Sequence, residues 1–232
     1  MPLARINRRL LYFAHVPKTG GSSIEAYMRQ QGEVALLHNI RPGGMRTTPQ
    51  HLEREAYEAL FHDDFYDAGF AVLRDPMERL VSEYMFRSER PRRWQRTLWM
   101  GQYGDRLRVR LGARYPVMGF DAWARAAMAR MHRMPTINDN HIRPQVDFVH
   151  PDHALFLLER GLEPVFDWID SMTESPPGPR PAREKVSDGF RPVPSETTRA
   201  EVARVYAADY ALIAALRGDP APHATARSHG GT

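Results

Sequence analysis

The chain has 232 residues, of which 42% are hydrophobic and 26% are charged, with no cysteine and a formal net charge of +4. This composition is typical of a folded globular protein and excludes a disulfide framework or a thiolate metal centre. The longest apolar run, at residues 10–16, is too short for a membrane span or a signal-peptide core. We therefore predict one domain at 1–217, a flexible tail at 218–232 and a cytoplasmic location.

The positive charge is concentrated in one segment. Nine arginines lie in the range 87–114 against two acidic residues, which gives this segment a charge of +7. Two tryptophans and a tyrosine are interleaved with the arginines. Such a segment could hold an anionic or sugar ligand or a nucleic acid, or it could be a solvated surface over core aromatics. We predict that it belongs to a helical basic insertion at 87–132.

The sequence pattern of the N-terminal half predicts two junctions at which a strand leads into a helix. After a basic lead-in at 1–9, a buried strand covers 10–16 and a glycine turn precedes a helix from Ser22 to about Gly32. A short strand at 33–37, a loop at 38–48 and a helix at 49–61 follow. The second junction joins a strand at 70–73 to a helix that Asp75 caps and Pro76 begins.

The C-terminal half predicts a helix at 119–132, a strand at 155–158 and a helix at 162–172. Residues 173–194 are rich in Pro, Gly and Ser and indicate a long loop. Ser195 then caps a final helix. No internal repeat is present, and the sequence carries no signal of an oligomeric state.

The first junction has the features of a phosphate site. Backbone N–H groups at a helix N-terminus carry the positive end of the helix dipole and favour bound anions. Gly20 and Gly21 permit close approach, Ser22 and Ser23 add hydroxyl donors, and Lys18 adds a cation. The alternative is a turn that only closes an α/β unit.

Lysine is rare in this chain, because only Lys18 and Lys185 are lysines among 32 basic residues. A compact ammonium group can contact a single bridging oxygen in a tight loop, whereas a guanidinium is a planar fork. The common ATP-binding loop places its lysine after the last glycine, but Lys18 precedes Gly20 and Gly21. The loop therefore predicts a different type of phosphate site.

The segment Pro17-Lys18-Thr19-Gly20-Gly21-Ser22-Ser23 resembles the loop with which sulfotransferases hold the 5′-phosphosulfate group of 3′-phosphoadenosine 5′-phosphosulfate (PAPS). Its wider form, His-Val-Pro-Lys-Thr-Gly-Gly, is similar to the Golgi-type, carbohydrate-modifying branch and its bacterial relatives. The resemblance implies an α/β fold of three layers, P-loop-like, with a central parallel sheet flanked by helices.

A second motif lies about 56 residues downstream. Residues 73–84, Leu-Arg-Asp-Pro-x-x-Arg-x-x-Ser-x-Tyr, closely resemble the sulfotransferase motif that binds the 3′-phosphate of the nucleotide. The resemblance implies that Arg74 and Ser82 bind this phosphate and that Arg79 supports the helix or the phosphate pocket. Two phosphate motifs in the expected order support each other.

Two further segments resemble the family less specifically. Residues 138–148 resemble its Pro-Gln segment, where His141 and Arg143 could face an acceptor. Residues 183–187, Arg-Glu-Lys-Val-Ser, resemble the late loop that closes over the nucleotide, which implies that Lys185 and Ser187 bind the donor. A disordered linker is the alternative for this late segment.

An alcohol nucleophile needs a general base, and histidine or glutamate is the usual choice. His51 is the first candidate, because a Pro-Gln-His element occurs at this interval in some family members. His38 and His141 follow, and Glu25 is a remoter candidate. His15 is interpreted as a structural residue of the strand.

The resemblance implies transfer of a sulfuryl group from PAPS to an acceptor hydroxyl, with Lys18 stabilising the leaving phosphate. A carbohydrate acceptor near 87–114 and 138–148 is favoured by the family branch and by the basic, aromatic segment. No metal and no stable nucleic-acid partner are expected. The alternatives are an ATP-dependent small-molecule kinase and a non-catalytic polyanion-binding protein.

Overall fold

The computed structural model describes residues 2–38, 40–62, 64–88, 106–181 and 191–218. Its strands are β1 (Leu3–Ile6), β2 (Arg9–Ala14), β3 (Glu33–Ala35), β4 (Ala68–Leu73), β5 (Leu107–Arg108), β6 (Val117–Met118) and β7 (Ala154–Leu157). Five strands form the central sheet in the order β3-β1-β2-β4-β7. β2, β4 and β7 pair in parallel, whereas β1 is antiparallel to both β2 and β3. The sheet is therefore mostly parallel, with β1 as the exception.

The described helices are α1 (Gly21–Gln31), α2 (Arg54–Glu58), α3 (Pro76–Arg87), α4 (Phe120–Arg133), α5 (Glu163–Thr173), α6 (Glu196–Val205) and α7 (Ala207–Gly218). Asp75 and Ser195 cap α3 and α6 through their side chains, as predicted. None of these helices has both the length and the apolar character that crossing a membrane requires, within the described residues.

Helices cover both faces of the sheet. Side chains alternate between the two faces along each strand, so one strand contributes residues to both cores. From β2, Leu11 and Phe13 pack in the core that contains residues of α1 and α5. Tyr12 and Ala14 pack in the opposite core with residues of α2 and α7. The predicted mixed α/β architecture with flanking helices is confirmed.

A third core lies beside the sheet, between α3, α4 and α6. Tyr84 and Trp123 meet there with ring centroids 5.5 Å apart, and the Tyr84 hydroxyl donates to the Met118 carbonyl at 2.7 Å. This core buries one face of α3.

The described part of the basic segment contains strands as well as a helix. Residues 107–118 hold the β5–β6 pair, and only α4 is helical, so the prediction of a wholly helical insertion is wrong there. Leu107, Val109 and Leu111 are buried and alternate with exposed arginines, which is the two-residue period of a strand. Residues 89–105 lie outside the described part of the chain.

Three other boundaries differ from the prediction. In place of a simple lead-in, residues 3–8 form the first strand and the turn of a hairpin, in which Asn7 and Arg8 have positive φ angles of 42° and 69°. The predicted helix at 49–61 is a 3-10 turn at Pro49–His51 followed by the short α2. The predicted final helix is two helices, since α6 ends at Val205 and α7 begins at Ala207. Of the predicted tail at 218–232, Gly218 is the last residue of α7, and the rest lies outside the described residues.

Candidate functional site

The loops that follow β2, β4 and β7 meet at one edge of the sheet, because these strands are parallel. The Asp75 N–H donates to Oε1 of Glu159 at 2.7 Å, which joins the loops after β4 and β7. A Cβ at Gly20 would lie 3.1 Å from Leu158 Cδ1, so the loop after β2 packs against the same region. In open α/β sheets, ligands bind outside the carboxyl ends of the strands, between two neighbouring strands whose connections lead to opposite ends of the strand order. Here that point lies between β2 and β4, because β3 and β7 lie on opposite sides of them.

The loop at 15–20 has a distinctive backbone. Lys18 and Gly20 have positive φ angles of 72° and 91°. The buried Thr19 uses its hydroxyl within the loop, where it donates to the Val16 carbonyl at 2.8 Å. α1 begins at Gly21 without a side-chain cap, and the first N–H groups of a helix have no acceptor within the helix. This end of α1 therefore presents backbone donors beside a lysine.

The remaining loop residues divide into exposed and buried groups. Ser22 is exposed at the start of α1, whereas Pro17 and Ser23 are buried. The loop residues that the resemblance assigns to the donor thus include buried positions that shape the loop.

His15 fixes the position at which α1 begins. Its Nδ1 lies 2.9 Å from Glu25 Oε1, and a Cβ added at Gly21 would lie 1.9 Å from its Nε2. The sequence prediction placed His15 in a strand, but β2 ends at Ala14 and His15 lies in the loop. Only glycine at position 21 leaves space for this imidazole.

We expect Gly21→Ala to lower the free energy of unfolding by about 1–3 kcal/mol, the usual effect of overpacking. The methyl group would displace the buried ring of His15 and with it the start of α1. Chemical denaturation measures the change. Gly43→Ala is the matched control, because nothing lies within 4 Å of a Cβ there. Equal stability of the two variants would contradict the contact.

One face of α3 carries the second phosphate motif. A guanidinium N–H of Arg74 donates to the Lys18 carbonyl at 3.3 Å, and the same side chain lies 3.8 Å from Glu78 Oε2. Lys18 Nζ lies 4.0 Å from the centre of the Phe86 ring. Positions 78, 82 and 86 recur every four residues and share a helix face. Ser82, which is half-buried, therefore lies between the contacts of Arg74 and Lys18.

Gln145 holds the backbone of Arg74. Its side-chain amide accepts from the Arg74 N–H at 3.0 Å and donates to the Arg74 carbonyl at 2.7 Å. Both oxygens of Asp209 in turn accept from the N–H groups of Gln145 and Val146, at 2.9 and 3.0 Å. The Pro-Gln segment thus fixes the residue at the end of β4.

Arg79 supports the structure instead of facing a phosphate. It is 1% exposed and donates to the carbonyls of His141 and Arg143 at 3.0 and 2.6 Å. Arg143 is itself paired with Glu53 at 3.1 Å and with Asp147 at 2.8 Å. Arg79 therefore secures the segment that carries His141.

Three buried histidines form a row beside the Lys18 loop. The ring centroids of His15 and His51 are 4.9 Å apart, and those of His51 and His141 are 4.8 Å apart. The His141 ring also lies 5.9 Å from the exposed ring of Phe86, which contacts Lys18. His51 and His141 therefore lie next to His15, which follows β2 in the loop that carries Lys18.

Each of these histidines contacts a carboxylate through Nδ1. His51 lies 2.7 Å from Asp139 Oδ2, and His141 lies 2.7 Å from Glu83 Oε2. Thr48 also binds Asp139, through its N–H at 2.6 Å and its hydroxyl at 2.7 Å. Because an ionised carboxylate only accepts hydrogen bonds, Nδ1 carries the proton in both pairs and the Nε2 lone pair is retained.

Burial determines the protonation of these pairs. It lowers the pKa of His51 and of His141 to about 4 each, against the opposing effect of the carboxylates. Burial alone would raise the pKa of Asp139, but hydrogen bonds from His51 and Thr48 keep it well below its usual range. His141 and Arg87 likewise outweigh burial and lower the pKa of Glu83 to about 2. Both pairs are therefore a neutral imidazole and an ionised carboxylate at neutral pH.

The two remaining candidates for the base, His38 and Glu25, have different surroundings. His38 is exposed in the segment that precedes the Pro49 turn, whereas Glu25 contacts His15 and accepts from the Gln50 amide at 2.5 Å. Lys185 and Ser187 lie outside the described residues. The sequence prediction did not include Asp139, Glu83, Phe86 or Gln145 among the site residues.

Comparison with known proteins identifies the family. The sequence model described as the sulfotransferase family matches residues 5–212, which include both phosphate motifs, the three histidines and Gln145. Neither the curated proteins nor the solved structures gave a significant match. The match extends over most of the chain and agrees with the α/β architecture, so the chain belongs to the sulfotransferase family, as a member of sulfotransferase family 2.

Proposed function

We propose that this transferase moves a sulfuryl group from PAPS to a hydroxyl group of a carbohydrate. The main support is the contact between the two phosphate motifs, where the Arg74 side chain donates to the Lys18 carbonyl at 3.3 Å. Residues 56 positions apart in the sequence are thereby placed side by side at the topological switch point of the sheet. A nucleotide with phosphate groups at both ends of its ribose matches two adjacent cationic positions.

The proposed donor site is P-loop-like in its order of strand, loop and helix. Lys18 and the N–H groups of Gly20, Gly21 and Ser22 would bind the 5′-phosphosulfate group at the start of α1. Pro17, Thr19 and Ser23 shape the loop, and Arg74 with Ser82 would bind the 3′-phosphate. Lys185 and Ser187 of the late segment would complete the donor site.

The proposed reaction is a direct transfer. The acceptor hydroxyl oxygen forms a bond to sulfur while the bond between sulfur and the bridging phosphate oxygen breaks, and the electron pair stays on that oxygen. Lys18 neutralises the negative charge that develops there. His51 takes the hydroxyl proton on Nε2, while Asp139 holds its Nδ1–H, as carboxylates orient catalytic histidines elsewhere. The products are the sulfated acceptor and 3′-phosphoadenosine 5′-phosphate (PAP).

A carbohydrate acceptor is supported by the surface near the histidines. Phe86 is 49% exposed beside His141 and Lys18, and a flat aromatic ring is suited to contact with a sugar. Exposed arginines follow on the β5–β6 side, namely Arg106, Arg108, Arg110 and Arg114. These cations favour an acceptor that carries negative charge.

Nucleotide binding tests the donor assignment. We expect PAP to raise the melting temperature, with a stabilisation of about 2.7 kcal/mol at a hundredfold excess over its Kd. Adenosine 5′-phosphate, which lacks the 3′-phosphate, should bind more weakly. Arg74→Ala should remove the preference for PAP, whereas Arg29→Ala, an exposed arginine of α1, should retain it. Thermal shift and calorimetric titration provide the measurements.

Two other outcomes would overturn the proposal. Stabilisation by ATP with magnesium, but not by PAP, would favour a small-molecule kinase. Binding of polyanions without any nucleotide, with steep salt dependence and no effect of Lys18→Ala, would favour the non-catalytic alternative.

A further inference from the structure

A compact set of metal-ligating side chains lies beside the Lys18 loop. One potential ligand atom from each of His51, Asp139 and His141 lies within 4.8 Å of the other two. The two imidazole rings meet edge to face, at an angle of 87°. These residues come from the Pro49 turn and from the segment before Gln145, so the fold brings the set together across about 90 positions of sequence.

The chemistry of this set suits a divalent transition ion. Imidazole binds such ions only in its neutral form. His51 Nδ1 lies 2.7 Å from Asp139 Oδ2, so an ion that replaces the proton between these two atoms would contact both. Glu83 would be the outer partner of His141, because it accepts the Nδ1 proton and leaves Nε2 for the ion. Two nitrogens and one oxygen favour zinc, nickel or copper over magnesium and calcium, which prefer oxygen ligands.

We propose that His51, His141 and Asp139 form a binding site for a divalent transition-metal ion such as Zn²⁺, and that the bound ion inhibits sulfuryl transfer. An ion on Nδ1 of the neutral His51 leaves the ring proton on Nε2, so this nitrogen can no longer accept the proton of the acceptor hydroxyl. Three protein ligands leave a fourth position for water or an anionic oxygen. Ion binding stands on the geometry alone, whereas inhibition rests on the proposed function.

His15 lies next to the proposed ion site but is not one of its ligands. It contacts the His51 ring, but its Nε2 lies against Gly21, where an added Cβ would be 1.9 Å away. Its Nδ1 lies 2.9 Å from Glu25 Oε1, on the side away from that contact. The ion site therefore comprises His51 and His141 with Asp139, and His15 serves as a neighbouring histidine that should not affect affinity directly.

Calorimetric titration of the full chain, first freed of metal with a chelator, tests the binding. We expect one Zn²⁺ per chain and no detectable heat from Mg²⁺. His141→Ala should weaken zinc binding by at least tenfold, and His38→Ala, which removes an exposed histidine, should leave it unchanged. Glu83→Gln, which removes the carboxylate beside His141 Nδ1, should weaken zinc binding by about 10- to 100-fold. Equal affinity of the native protein and His141→Ala would overturn the site.

A spectroscopic measurement on the native protein covers the case in which His141→Ala does not fold. Cobalt substituted for zinc should give the visible absorption bands of a four-coordinate ion with nitrogen ligands, and zinc should displace them. Absence of these bands at one equivalent of cobalt would overturn the site.

Failure of this inference can be distinguished from failure of the proposed function. Zinc binding without PAP binding would leave the ion site in place and overturn the proposed donor. PAP binding without zinc binding would do the reverse. If both bind but zinc does not reduce the rate of transfer, the inhibitory role of the ion is wrong.

Discussion

Replacement of Lys18 by methionine is expected to reduce kcat by about 10²- to 10³-fold, the typical effect of removing one group that stabilises charge in the transition state. The ammonium group would act mainly as negative charge develops on the leaving phosphate. Methionine preserves most of the length of the side chain and its contact with the Phe86 ring, which lies 4.0 Å from Lys18 Nζ. Initial rates with PAPS, with the Kd of PAP measured in parallel, separate transfer from binding.

Two further variants control for charge and for position. Lys18→Arg keeps the charge but replaces a compact ammonium group with a planar fork, so we expect most of the loss to remain. Phe86→Leu retains the ammonium group and should affect kcat far less than Lys18→Met. A Lys18→Met enzyme with nearly native kcat would exclude a leaving-group role for this lysine.

Replacement of His51 by asparagine is expected to lower kcat by about 10²- to 10⁴-fold, which is the usual contribution of a general base. Asp139→Asn should lower it as well, because the amide cannot stabilise the imidazolium that forms when His51 takes the proton. Both variants should still bind PAP with native affinity, since neither side chain belongs to the proposed donor site.

The pH dependence follows from the burial of His51. A general base must be unprotonated, and burial lowers the pKa of this imidazole to about 4. Activity should therefore be constant across neutral pH and fall as the pH drops through about 4, instead of falling near the ordinary histidine value. His38→Asn, an exposed histidine outside this cluster, should have the native profile. A fall centred near pH 6.5 would contradict the assignment of the base.

The sequence predicted the two strand-to-helix junctions well, because their signals are local. Glycines, a capping aspartate and a helix-period apolar stripe lie within a few residues of one another in each junction. The start of α1, the cap of α3 and the positions of Lys18 and Arg74 followed from these signals. The mostly parallel sheet and the flanking helices agree with the resemblance.

The carboxylate partners of the histidines could not be predicted in the same way. His51 and Asp139 are 88 residues apart, and His141 and Glu83 are 58 apart, so only the tertiary fold pairs them. Glu83 is buried although it lies outside the apolar stripe of α3, and nothing local predicts its partner. Gln145 was named as part of a motif, but its hold on the Arg74 backbone depends on the position of β4.

The missed strands have a different explanation. β1 has four residues and β5 has two, so each strand offers little periodic signal of its own. A buried Leu107, Val109 and Leu111 with exposed residues between them is a two-residue period, which was available as a signal. The hairpin turn at Asn7 was available too, because asparagine tolerates positive φ.

Three consecutive residues before Gln145 have a left-handed backbone. Asn138, Asp139 and Asn140 have φ angles of 54°, 63° and 63°, a conformation in which most side chains are strained. Asn140 anchors this bend by donating to the His51 carbonyl at 2.9 Å, and Asp139 and His141 flank it in the sequence. Both imidazole–carboxylate pairs therefore depend on a single bend. A substitution that straightens this bend would disrupt both pairs at the same time, so we expect the two pairs to be lost together and not one by one.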